Sequence, residues 1–304
     1  MIWVIYPAVI LSVASENLES PSPEHSYTLR NGRKMPVMGF RVPETPELLS
    51  WAFRLGYRMT ETSHRSASQA MRETQLPRAE FFVSTQISSH GFDEAHRAIR
   101  QSLRQLRLDY VDLLLLAPWE GKLIETWDSM VEMNKMGLVR SLGVRDFDIH
   151  HLETLASHGR PLPEVLQLEL HPFNLHKRLE LIQWCKAHHI QIQATGSLAL
   201  LEKAAVSLAS ISEKTGMNTA QILLRWALQM GFQVMPRSTQ REHLERNFHT
   251  SNFKKLTPEE MNQVSELEGH VGLHPLNAPL HLGDTTRQNR SEVRVHLDEL
   301  SAEL

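Results

Sequence analysis

Short apolar runs rich in β-forming residues alternate with amphipathic helical stretches along most of this chain. Eight such runs are predicted strands, at residues 37–42, 57–61, 81–86, 110–116, 140–144, 165–169, 190–195 and 232–236. Between them, apolar residues recur at intervals of three and four, most clearly over residues 92–106 and 219–230. Eight strands with intervening helices predict an α/β fold, a single (β/α)8 TIM barrel. A chain of 304 residues that is 41% hydrophobic is large enough to fill one.

A doubly wound open sheet is the alternative fold for the same alternation. That fold would prefer a glycine-rich phosphate loop after its first strand. The sequence contains no GxGxxG motif. The barrel is therefore our prediction.

Composition excludes several classes of function. A net charge of −3 provides no basic field for nucleic acid. The single cysteine, Cys185, rules out an intramolecular disulfide and any cysteine-based metal motif. The histidine pairs at 150–151 and 188–189 lack carboxylate or cysteine partners at metal spacing, so no metal is predicted.

The two ends of the chain differ from the middle. Residues 1–14 are uncharged and apolar but too short to span a bilayer, so no membrane span is predicted. They suit the hydrophobic region of a signal peptide, although no Lys or Arg stands near Met1. Secretion is favoured over a cytoplasmic location. We predict a leader and linker at 1–25, the barrel at 26–268 and a tail at 269–304.

In a parallel barrel, functional side chains lie at the carboxyl ends of the strands. Here those ends carry few groups that exchange protons near neutral pH. They are Arg41-Val42, Glu61, Gln86, Ala117, Arg145-Asp146, Glu169 with His171, Thr195 and Arg237-Ser238. A hydrolase or isomerase site built from Glu61, Asp146 and Glu169 is one hypothesis, although nothing in the sequence fixes their separation.

Several sequence blocks together resemble the aldo-keto reductase family, in family order from about residue 26 to 268. They are LRNGRKMP at 29–36 with Gly39, GYR at 56–58, SL at 102–103, LDYVDL at 108–113, GLVR at 137–140 with GV at 143–144, QLELHP at 167–172, QILLRW at 221–226, and PRS at 236–238 with Asn247, Phe253 and LT at 256–257. The resemblance implies that LRNG and KMP form an N-terminal β-hairpin that closes the barrel bottom.

The same resemblance implies a catalytic tetrad. The family transfers hydride from NADPH to a carbonyl, and the resulting alkoxide is protonated by a tyrosine that a lysine, an aspartate and a histidine assist. In this sequence the aspartate, tyrosine, lysine and histidine positions hold Glu61, Ser66, Gln86 and Ala117. Loss of one general acid typically costs about 10²–10⁴-fold in rate. Loss of the whole acid system therefore predicts loss of carbonyl reductase activity.

The cofactor residues that the resemblance implies are partly retained. Gln167, Arg237, Ser238 and Asn247 stand at NADPH-binding positions, with Arg237 in place of the family lysine. At the nicotinamide end the family residues are replaced. The replacements are Arg41-Val42-Pro43, Arg145-Asp146 and Thr195, while His243 and Arg246 replace two adenosine-end residues. We expect NADPH binding to be weak.

Our interpretation is a binding or regulatory pseudoenzyme on an aldo-keto-reductase-like barrel. Its ligand is a small molecule or protein that the sequence does not identify. The alternative is an active NADPH-dependent oxidoreductase with a rearranged acid, drawn from Glu61 or His64.

Overall fold

The computed structural model describes residues 26–41, 46–62, 65–118, 121–252 and 254–267. The predicted leader and tail lie outside this range, as do Val42, Pro43 and His64. Two short antiparallel strands come first, β1 (Ser26–Thr28) and β2 (Lys34–Pro36). Among the described residues, no helix combines the length and apolarity needed to cross a membrane.

Seven parallel strands follow, each hydrogen-bonded to the next along the chain. They are β3 (Met59–Glu61), β4 (Phe82–Ile87), β5 (Leu113–Leu116), β6 (Leu142–Arg145), β7 (Val165–Glu169), β8 (Gln191–Thr195) and β9 (Gln233–Val234). The helices around them are α1 (Pro46–Leu55), α2 (Arg65–Glu73), α3 (Phe92–Leu106), α4 (Leu123–Lys135), α5 (Ile149–Ser157), α6 (Leu175–Ala187), α7 (Leu201–Ser207), α8 (Ala209–Thr215), α9 (Thr219–Gln229), α10 (Arg241–Phe248) and α11 (Pro258–Ser265).

Residues 38–41 close the sheet into a ring between β3 and β9. Met38 bridges Val234 and Phe40 bridges Thr60, both in parallel. The Gly39 amide donates to the Val234 carbonyl at 2.9 Å. A side chain at position 39 would collide with two methionines of the barrel interior, so a glycine lets this segment approach closely. The segment predicted as the first barrel strand therefore forms β-bridges to both β9 and β3. The (β/α)8 prediction is confirmed.

The barrel interior and its outer shell are built from alternate residues of each strand. On β5, Leu113 and Leu115 belong to an inner cluster of buried residues, whereas Leu114 and Leu116 pack with the helices. The inner cluster also contains Leu29 and Met35, from the hairpin region. The hairpin therefore packs against one end of the barrel interior.

The two helices with the clearest periodicity match their predicted positions. Helix α3 covers residues 92–106, as predicted. Helix α9 begins after Asn218, whose side chain accepts from the Gln221 amide and caps the helix. Cys185 lies buried in α6.

Candidate functional site

The period-two alternation of each strand places three of the four predicted catalytic positions on one inner rim. Glu61 follows Met59 of the inner cluster by two residues, so both face the interior. The same spacing relates Ala117 to Leu115 on β5. Gln86 lies four residues beyond Phe82 on β4. These three residues, together with Arg41 and Arg145, are called the inner rim below.

Ser66 lies apart from the inner rim, in the first turn of helix α2. It is 7% exposed, and its hydroxyl has no hydrogen-bond partner among the described residues. A serine here is too short to occupy the volume of a tyrosine side chain. The structure therefore gives this position a small buried hydroxyl.

Glu61 lies in a chain of polar contacts that runs from the mouth into the barrel. Its side chain is 5% exposed, and its Oε1 lies 3.2 Å from Nη2 of Arg41. Its Oε2 accepts from Nε2 of Gln167, which also donates to Oε1 of Gln193 at 2.7 Å. Because a carboxylate only accepts, Glu61 fixes which end of the Gln167 amide faces it.

Gln193 completes this chain of contacts, and it was not among the predicted site residues. Gln167 and Gln193 lie opposite each other in the register of β7 and β8, and both are fully buried. The sequence signal was a polar residue between the apolar Ile192 and Ala194 of a predicted barrel strand. Gln167 Oε1 and Gln193 Nε2 are buried without partners among the described residues.

Gln86 and Arg145 form a second polar arrangement on the inner rim. Gln86 Oε1 accepts from Arg145 Nη1 at 3.1 Å. Arg145 Nε also donates to Asp146 Oδ2 at 3.1 Å. Asp146 has a φ of 54°, a left-handed conformation that Asp tolerates better than most residues. Arg145 was predicted as a strand-end residue and as a replacement of a family cofactor residue, but its contact with Gln86 was not predicted.

A cavity of about 430 Å³ opens at the barrel mouth. Arg41, Arg145 and Arg237 line it together with Asp146 and Glu169. A second cavity of about 380 Å³ adjoins the first, since Leu198 and Arg237 line both. The second cavity extends to helices α9 and α10. Together they form a cleft from the mouth to the edge of the barrel.

The predicted cofactor residues take different places relative to this cleft. Arg237 lines both cavities, and Asn247 lines the second one from α10. The Ser238 hydroxyl donates to the Gln240 carbonyl at 3.1 Å, and its amide donates to the Arg41 carbonyl at 3.2 Å. Gln167 lines neither cavity. The structure therefore brings Arg237 and Asn247 together and leaves Gln167 in the interior.

The three carboxylates of the hydrolase hypothesis each contact a different basic side chain. Glu61 pairs with Arg41, Asp146 with Arg145, and Glu169 Oε1 lies 3.6 Å from His171 Nε2. Asp146 and Glu169 line the mouth cavity, but no hydrogen bond joins any two of the three in the described part of the chain. A shared-proton carboxylate pair therefore receives no support.

The histidine pairs make local contacts. His151 caps α5 with Asp148, and the His188 ring stacks on Trp184 with centroids 3.7 Å apart. No group of three His, Cys, Asp or Glu within the described ranges could hold a metal ion.

Comparison with known proteins identifies the family of this barrel. The profile described as the aldo/keto reductase family matches residues 43–268. The chain belongs to the aldo/keto reductase family. It is 34% identical over 270 residues to the 9,11-endoperoxide prostaglandin H2 reductase of Trypanosoma cruzi. The matched region covers 82% of this chain and 94% of that protein.

Solved aldo/keto reductase structures share the fold. One from Brucella melitensis superposes with a TM-score of 0.75 at 28% identity, covering 80% of this chain and 98% of the other. A Bombyx mori aldo-keto reductase in complex with NADP gives a TM-score of 0.74 at 24% identity, covering 80% and 92%. At the inner rim of the present aldo/keto reductase, Arg41 contacts Glu61 and Arg145 contacts Gln86.

Proposed function

We propose that this aldo/keto reductase binds NADP(H) through the phosphate end of its cleft and does not reduce carbonyls. It then acts as a binding or regulatory protein. The observation that carries the proposal is the contact of Gln86, at the lysine position, with the Arg145 guanidinium. A neutral amide carries no positive charge with which to lower the pKa of a neighbouring acid, as the family lysine does.

The other inner-rim groups supply no proton either. Both oxygens of Glu61 accept from donors, Arg41 and Gln167, so neither presents a proton to a substrate. Ala117 has no polar group, and the Ser66 hydroxyl is a weak, buried acid. Without a positioned acid, the alkoxide left by hydride transfer is not protonated in place.

The phosphate end of the cleft supports nucleotide binding. Arg237, His243 and Arg246 line the second cavity, and Glu202 is the one acidic side chain among the described residues that line it. A guanidinium binds phosphate oxygens through two parallel N–H groups. Asn247 adds a neutral amide. When bound, NADPH would supply a hydride donor.

The mouth of the cleft fits the nicotinamide end poorly. Arg41 and Arg145 line this cavity with charged side chains. The Thr195 hydroxyl donates to the Leu168 carbonyl at 3.2 Å, in a place where the family resemblance implies a stacking aromatic ring. These features support weak binding, with most of its free energy from the phosphates.

An active reductase is the second candidate, because the Trypanosoma cruzi relative is named as a reductase. It would need a different acid, either Glu61 or His64, and His64 lies outside the described residues. A measurable turnover that depends on one of these two side chains would favour this candidate.

Two measurements on the purified chain test the proposal. We expect NADPH fluorescence to change on titration with protein, and we expect no reduction of nitrobenzaldehyde with NADPH. Turnover on the order of one per second, within the ordinary enzyme range, would overturn the proposal if Arg237→Ala abolished it. That dependence on Arg237 excludes a contaminating reductase. Arg104→Ala, an exposed change on α3, is the matched control.

A further inference from the structure

We propose that the mouth cavity is a binding site for a small oxyanion, a carboxylate or phosphate group, held between Arg41 and Arg145. Glu61 and Gln86, which stand at two tetrad positions, act there as positioning residues for the two arginines. The proposal goes beyond nucleotide binding and does not depend on it.

The two arginines face the same cavity from opposite sides of the barrel. Arg41 belongs to the closing segment 38–41, and Arg145 ends β6. In the ring formed by that segment and β3 to β9, β6 lies four strands from the segment in either direction. Both side chains line the cavity of about 430 Å³. An anion in the cavity can therefore be bound from two walls at once.

Each arginine is held in place by a polar partner from another strand. Arg41 contacts Glu61, and Glu61 is fixed by the fully buried Gln167. Arg145 contacts Gln86. Such support lowers the entropy lost when a ligand binds, because the side chains are already ordered. Glu61 and Gln86, at two of the predicted tetrad positions, thus each hold one of the two arginines that line the mouth cavity.

Both guanidiniums keep donors and solvent access for a ligand. The side chains of Arg41 and Arg145 are 34% and 35% exposed. A guanidinium has five N–H donors. Within the described residues, the Arg41 guanidinium contacts Glu61 through Nη2, and Arg145 uses Nε and Nη1. Nη2 of Arg145 and the remaining nitrogens of Arg41 are available for an oxyanion.

The local charge balance predicts modest affinity. Arg41, Arg145 and Arg237 are opposed by Glu61, Asp146 and Glu169. Asp146 and Glu169 have side chains that are 50% and 62% exposed, so solvent and salt screen their repulsion of a ligand. Glu61 is buried and offsets part of the Arg41 charge. Binding should therefore weaken as salt concentration rises.

The test is calorimetric titration of the full chain with succinate and, separately, with inorganic phosphate. Sodium chloride at equal ionic strength is the reference. Two variants each remove one of the arginine side chains proposed to bind the oxyanion. They are Arg145→Ala, and the double change Arg41→Ala with Glu61→Gln. The double change avoids a buried carboxylate without its cation, which would itself destabilise the fold. Arg104→Ala is the control.

We expect the titration with at least one oxyanion to give saturable heat. In both arginine variants the affinity should fall about tenfold or more, and tenfold corresponds to about 1.4 kcal/mol of binding free energy. A response to succinate alone identifies a carboxylate ligand, and a response to phosphate alone identifies a phosphate ligand. No response to either, or a response equal in all variants, overturns the proposal.

A further variant separates this site from nucleotide binding. Arg246 lines only the second cavity. Arg246→Ala should weaken NADPH binding while leaving oxyanion binding unchanged. If oxyanion binding falls in this variant by as much as in Arg145→Ala, the anion binds in the second cavity and the mouth site is wrong.

Discussion

Gln86 on β4 accepts a hydrogen bond from Arg145 on β6, and these two strands are not neighbours. Strand β5 lies between them, and the inner-rim residue that follows it is Ala117. Glu61, Gln86 and Ala117, three of the four positions predicted for the tetrad, lie on the same inner rim as Arg41 and Arg145.

Restoring the four family residues should not restore reductase activity. In the variant Glu61→Asp, Ser66→Tyr, Gln86→Lys and Ala117→His, the new lysine faces the Arg145 guanidinium. The shorter carboxylate also withdraws from Arg41. Like charges at the inner rim disfavour the geometry that hydride transfer needs, and a misplacement of roughly 1 Å can cost about 10²-fold in rate.

The measurement is NADPH consumption with a reactive aldehyde. Adding Arg41→Thr and Arg145→Ser to the four changes provides the comparison. Activity in the four-residue variant alone would show that the arginines are compatible with catalysis.

Replacing Arg237 by Ala should weaken NADPH binding more than NADH binding. Arg237 lines both cavities, and its forked donors suit the additional phosphate of NADPH. We expect a difference of about tenfold or more between the two nucleotides, as for a charge-assisted bidentate contact. Fluorescence titration measures both affinities. Arg241→Ala, an exposed change on α10 outside the cavity, should have no such effect. Equal losses for both nucleotides would assign Arg237 a structural role.

Replacing Gln167 by Leu should destabilise the barrel. Glu61 and Gln193 would each lose a buried donor, and an unsatisfied buried acceptor costs about 1–3 kcal/mol. Urea unfolding measures the loss. Gln105→Leu on the exposed face of α3 should change stability by no more than about 0.5 kcal/mol. If the two variants unfold alike, the polar chain contributes little to stability.

Cys185 should be unreactive in the folded protein. It is fully buried, and burial raises the pKa of its thiol to about 12. The thiolate, which is the reactive form, is then scarce near neutral pH. A disulfide-exchange reagent should label the thiol only after unfolding. Rapid labelling of the native protein would mean that α6 opens readily.

The sequence predicts the barrel well because its periodicity is local. Residues 92–106 show three-and-four spacing, and this range is helix α3 in the structure. Strand geometry then places Leu115 and Ala117, which are two residues apart, on the same face. These patterns depend on neighbours along one element, which a single sequence displays directly.

Contacts between strands could not be read from the sequence in the same way. The order of residues gives no sign that Gln86 contacts Arg145 rather than an adjacent group, since barrel stagger decides which inner-rim side chains meet. Gln193 was missed for a similar reason, because its role depends on its register with Gln167. The site was therefore predicted as a set of positions but not as a network.

The backbones of Arg41 and Arg237 form a parallel β-bridge where the ring of strands closes. Arg41 lies near the start of the barrel, and Arg237 lies after its final strand. Contacts of such long sequence separation slow folding, because the entropy of closing a large loop is lost before the contacts can form. During synthesis, the mouth cavity cannot exist until the last strand has joined the first segment. A ligand held there would bind only the finished barrel, and its binding free energy would add to the stability of the closure itself.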